Sequence, residues 1–364
     1  MVLRFYPKKD TTIYERYPEK NTGLDAVLEL SKIIDGSSSY SSRVLLDFDY
    51  TAISASIASR GYNPNQFDYR LKMYVTDASE VPLDYTLYCY PVSDTWSMGV
   101  GRYGNVPETT LGASWTYRNG SDDVVNIWQT GSFGATITGS WATTAGGGTW
   151  YTSSVASQSF SYTTADMNMD ITPIIRSVQS GSITFKGLVL KRGDSDEQSA
   201  IELGSLKFFS KDTHTVYLPV LEALYNEATS TNTLTALDTN EEFNIVAVNL
   251  QPQYKESSTP MIRFSARYRY PVHTFATSSV FLTRYRLPAG SQYAIYSAQT
   301  DDVFVQFSDY TQLSNDGNGN FFKLHLDSFQ PERYYKILLK IPYSGSSDYQ
   351  VYDNNWIFKV ARNQ

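Results

Sequence analysis

The sequence predicts an all-β chain made of two successive sandwich units. Aromatic residues make up 15% of the 364 residues, and 29 of them are tyrosines. Aromatic side chains favour strands, and the serine, threonine, asparagine and glycine between them favour connecting loops. Short segments in which apolar and polar residues alternate recur along the chain, and this period is typical of half-buried strands.

The first 225 residues contain a succession of such segments. In residues 43–49, Val44, Leu46 and Phe48 point one way while Arg43 and Leu45 point the other, so we expect a half-buried strand. Residues 170–181 form the best helix candidate, with Pro173 in the first turn and Gly181 at the end. The other predicted strands of this part are 10–14, 26–30, 69–75, 84–92 and 187–191.

Residues 205–225 close this first unit. Leu206 and Phe208 mark one strand, residues 210–215 form a polar link, and a second strand is predicted around 216–225. Residues 226–240 are polar, with few side chains able to fill a core, and are predicted to be a linker or a loosely packed arm. The predicted domains are therefore 1–225 and 241–364, joined by 226–240.

Eight short strands are predicted in the second unit, which suggests a smaller sandwich. Phe329, Pro331 and Tyr335 are followed by alternating Ile337 and Leu339. This spacing is similar to the tyrosine corner of immunoglobulin-like and fibronectin type III domains, in which the tyrosine hydroxyl bonds to the backbone. The predicted strands are 243–250, 261–270, 281–285, 293–296, 303–307, 321–326, 335–341 and 355–360.

An ordered set of short motifs runs through residues 1–225. Its members are 10–14, 21–23, 42–49, 94–96 followed by Gly101, 112–117, Trp128 with Gly131, 170–172 and 208–225. In this order they resemble the DNRLRE (disaggregatase-related) family. The resemblance implies a β-jelly roll like those of carbohydrate-binding modules, often found in large surface or virion proteins, and it implies no catalytic residues. One departure is the expanded loop after Trp128, so a family ligand site there does not carry over.

The second unit resembles the terminal parts of uncharacterised tailed-phage virion proteins, across residues 270–288 and 330–337. Together with the first resemblance, this implies a virion protein. The sequence starts without the apolar core of a signal peptide and has no apolar run long enough for a membrane span, so we expect synthesis in the host cytoplasm and no membrane partner. The net charge of −7 is spread thinly, which argues against a nucleic-acid partner. Cys89 is the one cysteine and is predicted to be a buried, inert thiol.

Five of the six tryptophans fall in a glycine-rich stretch. Two interpretations remain open for them. Aromatic planes suit a sugar-stacking or partner-binding face, but tryptophans also seal long loops over a sandwich. We predict Trp115, Trp141 and Trp150 as candidate ligand or partner contacts, because Trp141 and Trp150 flank the glycine loop 146–148.

Arginines alternate with aromatic residues between positions 263 and 286. Such a stripe fits a protein interface or a solvated face better than a phosphate-binding surface, because arginine and tyrosine are enriched at interfaces. Arg267 and Arg269 are the predicted partner contacts of this stripe.

No motif predicts catalytic residues, a cofactor or a metal site. Residues 99–104 fit G-x-G-x-x-G but lack a following helix and are predicted to be a loop. Residues 316–320 begin like a calcium loop but have Phe321 where glycine is needed, so we predict a hairpin turn. Arg192 to Asp194 spell an adhesion tripeptide and are predicted to be a polar hairpin tip.

Three functions follow as hypotheses. The first is a non-enzymatic structural protein of a tailed-phage virion, a head, neck or tail component that contacts other virion proteins and copies of itself. The second is a carbohydrate-binding module that captures host-surface polysaccharide. The third is an accessory or glycan-active enzyme domain, because two carboxylates that meet only in space cannot be identified from spacing.

Overall fold

The computed structural model describes residues 1–120, 127–128, 136–137, 146–162, 166–272 and 283–362. The protein is mostly β, with 42% strand and 10% helix, so the all-β sandwich prediction is confirmed. Contacts between residues divide the chain into two compact units. We call Arg4–Ala223 the N-terminal unit, and Met1–Leu3 together with Leu224–Gln364 the C-terminal unit.

Fourteen strands lie in the described residues before position 225. They are β1 Val2–Phe5, β2 Lys9–Tyr14, β3 Val27–Asp35, β4 Ser38–Asp47, β5 Asp68–Met73, β6 Val75–Ser79, β7 Tyr85–Pro91, β8 Thr136–Ile137, β9 Trp150–Tyr151, β10 Ala156–Phe160, β11 Met167–Asp170, β12 Leu188–Arg192, β13 Gly204–Phe209 and β14 Val220–Leu224. The strands predicted within 10–14, 26–30, 42–49, 69–75, 84–92 and 187–191 are all present.

Two large sheets hold most of these strands. An eight-stranded sheet has the order β10-β7-β12-β4-β3-β13-β6, with β2 paired to β4, and a four-stranded sheet has the order β1-β14-β5-β11. The neighbours in the eight-stranded sheet run antiparallel. The closing segment supplies strands to both sheets, because β13 lies between β3 and β6 whereas β14 pairs in the four-stranded sheet.

Both faces of the eight-stranded sheet are buried at β4 and β12. Val44 and Leu46 lie on one face, Arg43 and Leu45 lie on the other, and each of the four is at most 2% exposed. The prediction of a half-buried strand at 43–49 was therefore wrong. A second layer, which includes buried tryptophans of the following loops, covers the face that sequence alternation assigned to solvent.

Three α-helices occur among the described residues. The predicted helix is α2, Thr172–Gln179, with proline in its first turn. An unpredicted helix, α1 at Tyr50–Ser59, is capped by Asp49, whose carboxylate accepts the Ala52 N–H at 3.0 Å. The third helix, α3 at Asp194–Gln198, follows β12 directly. The predicted polar hairpin tip at 192–194 was wrong, because the chain turns into this helix instead.

The described part of the C-terminal unit forms two sheets. Their strands are β15 Phe243–Ala247, β16 Gln253–Lys255, β17 Met261–Tyr268, β18 Gln292–Ser297, β19 Val303–Val305, β20 Ser314–Asp316, β21 Gly319–Lys323, β22 Arg333–Pro342 and β23 Tyr349–Ala361. The orders are β15-β17-β21-β20 and β16-β23-β22-β18-β19. The predicted hairpin at 316–320 is confirmed, since β20 pairs antiparallel with β21 across that turn.

The predicted tyrosine corner is also confirmed. The Tyr335 hydroxyl accepts the Gln330 N–H at 3.0 Å and lies 3.2 Å from the Gln330 carbonyl, to which it donates. Its ring packs against Phe329 at 4.9 Å between centroids and is 2% exposed. Residues 226–240 contribute Leu237 to the core of this unit, and the Thr229 N–H donates to Ser314 Oγ at 3.1 Å.

Candidate functional site

Trp115 and Trp150, two of the predicted contact residues, enclose the guanidinium of Arg43. Their ring centroids lie 4.7 and 5.1 Å from the Arg43 Cζ atom. The exposed fractions are 8% for Trp115, 2% for Trp150 and 2% for Arg43. These rings therefore form cation–π contacts inside the N-terminal unit. The third predicted tryptophan, Trp141, lies outside the described residues.

Arg43 is held by more than the two rings. Its Nε and Nη2 donate to the Glu197 carboxylate at 3.1 and 2.7 Å, and Nη1 donates to the Gly147 carbonyl at 2.6 Å. Gly147 has a φ of +79°, and a Cβ there would lie 2.3 Å from Arg43 Nη1. A larger residue at position 147 would be strained and would displace the guanidinium.

Two lysines complete this buried cluster. Lys191 Nζ lies 3.0 Å from Glu197 Oε2 and also contacts Asp194, and Lys32 Nζ donates to the Glu197 carbonyl. The attraction between the Glu197 carboxylate and the surrounding cations offsets the free-energy cost of burying these charges. The cluster is therefore best explained as a structural ion-pair network. Neither Arg43 nor Glu197 was predicted as a site residue from the sequence. The signal available in the sequence was an arginine on a predicted strand together with a glycine loop that tryptophans flank.

Arg267 and Arg269, the other predicted contacts, are both exposed, Arg267 on the outer face of β17 and Arg269 just after the end of that strand. Arg267 lies opposite Asn244 on β15. Arg269 donates to Glu242 at 3.1 Å in an exposed ion pair. The neighbouring Arg263 instead forms a two-pronged pair with Asp316, at 2.6 and 3.0 Å. In this stripe Arg263 and Arg269 are therefore in ion pairs, and Arg267 is exposed on the strand between them.

The outer face of the five-stranded sheet carries a set of apolar side chains that sequence reasoning did not single out. Register places them on one side: Tyr334 opposite Lys359, Ile357 opposite Lys336, Val351 opposite Lys340, Tyr349 opposite Pro342, and Val303 opposite Tyr296. We call Val303, Tyr334, Tyr349, Val351 and Ile357 the apolar face. They are 46%, 46%, 55%, 41% and 41% exposed, respectively.

Lysine side chains lie between these apolar residues, and two of them, Lys336 and Lys359, form ion pairs with neighbouring acidic side chains. Lys336 contacts Asp301 at 2.6 Å and Asp353 at 3.2 Å, and these hydrogen bonds raise the pKa of Lys336. The hydrogen bond that Lys359 donates to the Glu332 carboxylate likewise raises the pKa of Lys359. Lys340 Nζ lies 3.9 Å from the ring centroid of Tyr349. The face therefore combines apolar area with charges that are already partly satisfied.

A loop of the N-terminal unit displays further apolar residues on a fixed backbone. The buried Asn21 side chain donates to the carbonyls of Met98 and Ala113, both at 2.8 Å, and accepts the Gly101 N–H at 2.8 Å. Residues 99–104 are a loop, as predicted. The exposed side chains that this loop and its continuation carry are Val100, Tyr103, Val106 and Leu111.

A pocket of about 450 Å³ opens in the N-terminal unit at the start of β7, the end of β12 and the start of α3. Arg192 lines it and is 2% exposed. Its Nη2 donates to the Leu203 carbonyl at 2.7 Å, whereas Nε and Nη1 have no acceptor among the described residues. Burial lowers the pKa of Arg192.

Within the described residues, no set of three or more histidine, cysteine, aspartate or glutamate side chains is placed to hold a metal ion. In the same part of the chain, every helix is too short or too polar to span a membrane. A comparison of the chain with models of protein families gives no match, and a search of curated proteins gives none either.

Proposed function

We propose that this chain is a non-enzymatic structural protein of a tailed-phage virion, a head, neck or tail component that binds other virion proteins and copies of itself. The observation that carries the proposal is the apolar face of the C-terminal unit. The sequence resemblance of residues 270–288 and 330–337 to tailed-phage virion proteins supplies the virion context.

The apolar face has the composition of an interface. Tyr334 and Tyr349 offer large contact areas with few rotatable bonds, so little side-chain entropy is lost when a partner binds. Val351 and Ile357 add apolar area next to them, and both lie at positions of β23 that pair with β22. Exposed Arg267 on the other sheet of this unit offers a polar contact of a type enriched at interfaces.

The test is incorporation into virions. Purified particles should contain the protein in multiple copies. The double variant Val351→Lys/Ile357→Lys should reduce its incorporation at least about tenfold. Burying two lysine charges in the interface should cost more than about 1.4 kcal/mol of binding free energy, which corresponds to a tenfold loss of affinity. The control is Val155→Lys in the N-terminal unit, since Val155 is 43% exposed and Val351 is 41% exposed. Absence of the wild-type protein from purified particles would refute the proposal, and so would normal incorporation of the double variant.

Glycan capture is a second candidate function, and one observation favours it. The pocket at Arg192 is concave and has polar groups that converge on it, as small-molecule sites do. Of the three tryptophans predicted as contacts, Trp115 and Trp150 are buried over Arg43, and Trp141 lies outside the described residues.

A further inference from the structure

Strand β15 forms one edge of the four-stranded sheet of the C-terminal unit, next to β17. The Val248 N–H, just after the strand, donates to the Arg263 carbonyl on β17 at 2.8 Å, so the even-numbered positions bond to β17. Successive residues of a strand turn their backbone groups to opposite sides. The N–H and C=O groups of Phe243, Ile245 and Ala247 therefore point away from the sheet.

Little covers these outward-pointing groups. Among the described residues, one hydrogen bond reaches them, from Asn354 Nδ2 to the Ile245 carbonyl, and its length of 3.5 Å is near the upper limit for such a bond. Asn354 is exposed, so a rotation of its side chain frees the carbonyl. Unpaired backbone groups along an edge strand are a template for pairing with another strand.

Other sheet edges in the described part of the chain are protected in ways that β15 lacks. The Thr231 N–H donates to the Asn315 carbonyl at 3.2 Å, so a neighbouring segment covers β20. The Gln158 side chain on β10 accepts the Asn168 N–H of β11 at 2.7 Å and joins those two edges. In contrast, β15 reads Phe-Asn-Ile-Val-Ala, with no charge, no proline and no bulge in its pairing with β17. Natural sheets use these devices to prevent edge pairing, and their absence favours pairing at β15.

Apolar side chains stand next to this open edge. Val246 and Val248 are 55% and 58% exposed on the outer face, whereas Ile245 is 6% exposed on the inner face. A strand that pairs with β15 would therefore bury part of this valine surface as well as satisfy the backbone groups.

A second copy of the same strand fits the edge. In an antiparallel pairing about a two-fold axis at Ile245, Phe243 of one copy lies opposite Ala247 of the other, and Asn244 lies opposite Val246. The large phenylalanine ring thus faces a small methyl group on the inner side. The pairing uses all five residues of the strand in both copies.

The charges near the strand are compatible with this pairing. Two-fold pairing often sets like charges against each other, but β15 carries none. The preceding Glu242 would lie opposite Val248 of the other copy, and it already pairs with Arg269 at 3.1 Å. No acid therefore faces an acid across the contact.

We propose that two copies of the chain associate through antiparallel pairing of β15, so that the four-stranded sheets of their C-terminal units join into one. The contact is small, and we expect a dissociation constant on the order of 10 µM. The inference concerns the sheet that does not carry the apolar face, and it does not require that the chain be a virion protein.

Sedimentation velocity of the full-length purified protein, from about 1 to 200 µM, measures the dimer. Asn244→Lys/Val246→Lys sets lysine against lysine across the contact, and Asn244→Glu/Val246→Glu sets glutamate against glutamate. Each double variant alone should weaken the dimer at least about tenfold, whereas an equimolar mixture of the two should form heterodimers, because lysine then faces glutamate. Both positions are exposed, so the fold should tolerate the changes.

The matched control is Met261→Lys, which adds a lysine to the neighbouring strand β17, where Met261 is 39% exposed, and should leave the dimer unchanged. Ala247→Pro removes an outward-pointing N–H and should also weaken the dimer. Thermal unfolding identifies the variants that are folded.

The inference is overturned if the wild type stays monomeric up to about 200 µM, if the folded variants at positions 244, 246 and 247 dimerise as the wild type does, or if the mixture of folded charged variants stays monomeric. None of these outcomes bears on whether the protein is present in virions, so the two proposals fail separately.

Discussion

Arg43 and Glu197 form a two-pronged ion pair inside the N-terminal unit, with nitrogen–oxygen distances of 3.1 and 2.7 Å. The Arg43 and Glu197 side chains are 2% and 1% exposed. Charges are tolerated at such depth only when they are paired, so this contact couples β4 to the short helix α3. Trp115 and Trp150 cover the guanidinium at 4.7 and 5.1 Å, and these buried rings help to exclude water from the pair.

Glu197→Gln should lower the free energy of unfolding by about 3–5 kcal/mol, because it leaves the Arg43 and Lys191 charges buried without their carboxylate. Urea denaturation measures the change. The control is Asp77→Asn, which removes the exposed pair with Lys207 at 3.1 Å and should cost less than about 1 kcal/mol. Equal costs for the two variants would contradict a stabilising role for the buried pair.

Asn21→Ala should loosen the loop that carries Val100 and Tyr103. The change leaves the Met98 and Ala113 carbonyls and the Gly101 N–H without their partner, and we expect a cost of at least about 2 kcal/mol. Limited trypsin digestion should then cut the variant faster after the exposed Arg102.

The matched control for that experiment is Asn105→Ala in the same loop. Asn105 makes one side-chain bond there, from Nδ2 to Thr109 Oγ1 at 2.9 Å, so its loss should cost about 1 kcal/mol and leave the rate of cleavage almost unchanged. If trypsin cuts Asn21→Ala no faster than Asn105→Ala, Asn21 does not fix the loop.

Asp10→Asn should change the pH dependence of stability. Burial raises the pKa of Asp10 to about 7 from 3.8, and the nearby Asp212 adds to the shift while the Lys211 N–H opposes it. Between these two pH values the unfolded chain has lost the proton and the folded chain keeps it. The free energy of unfolding therefore falls as pH rises through this window and stays low above it.

Asparagine keeps the acceptor for the Lys211 N–H, which lies 2.6 Å from Asp10 Oδ2, and removes the charge. We expect Asp10→Asn to be more stable than the wild type at pH 8, by at most about 4 kcal/mol, and equal to it near pH 4. Urea denaturation at both pH values gives the two differences. A difference that is the same at both would show that ionisation of Asp10 does not oppose folding.

Local patterns were enough to predict most strands but not what covers them. The alternation at 43–49 placed Arg43 opposite Val44 correctly, yet solvent does not reach Arg43, because a distant loop packs over it. Helix α1 was missed because Ile53 and Ile57 are its only buried residues, which is a weak helical period.

The candidate sites depended even more on distant contacts. The alternation of Ile337 and Leu339 predicted which face of β22 is buried. The residues that neighbour its outer face belong to β23, and they are identified only by the register in which β23 pairs with β22. Likewise, Arg192 and Asp84 line one pocket although 108 positions separate them. Sequence spacing carries no information on such a meeting, which is decided by how β7 and β12 pair.

Tyr335→Phe should lower the free energy of unfolding by about 1–2 kcal/mol, because the ring stays packed while the Gln330 N–H and carbonyl lose the hydroxyl that bonds them at 3.0 and 3.2 Å. The adjacent Tyr334→Phe is the matched control, since Tyr334 is 46% exposed and its loss should stay within about 0.5 kcal/mol. Urea denaturation should show a lower midpoint with an unchanged slope for Tyr335→Phe alone. Equal midpoints for the two variants would mean that the packing of the Tyr335 ring stabilises this corner and its hydroxyl does not.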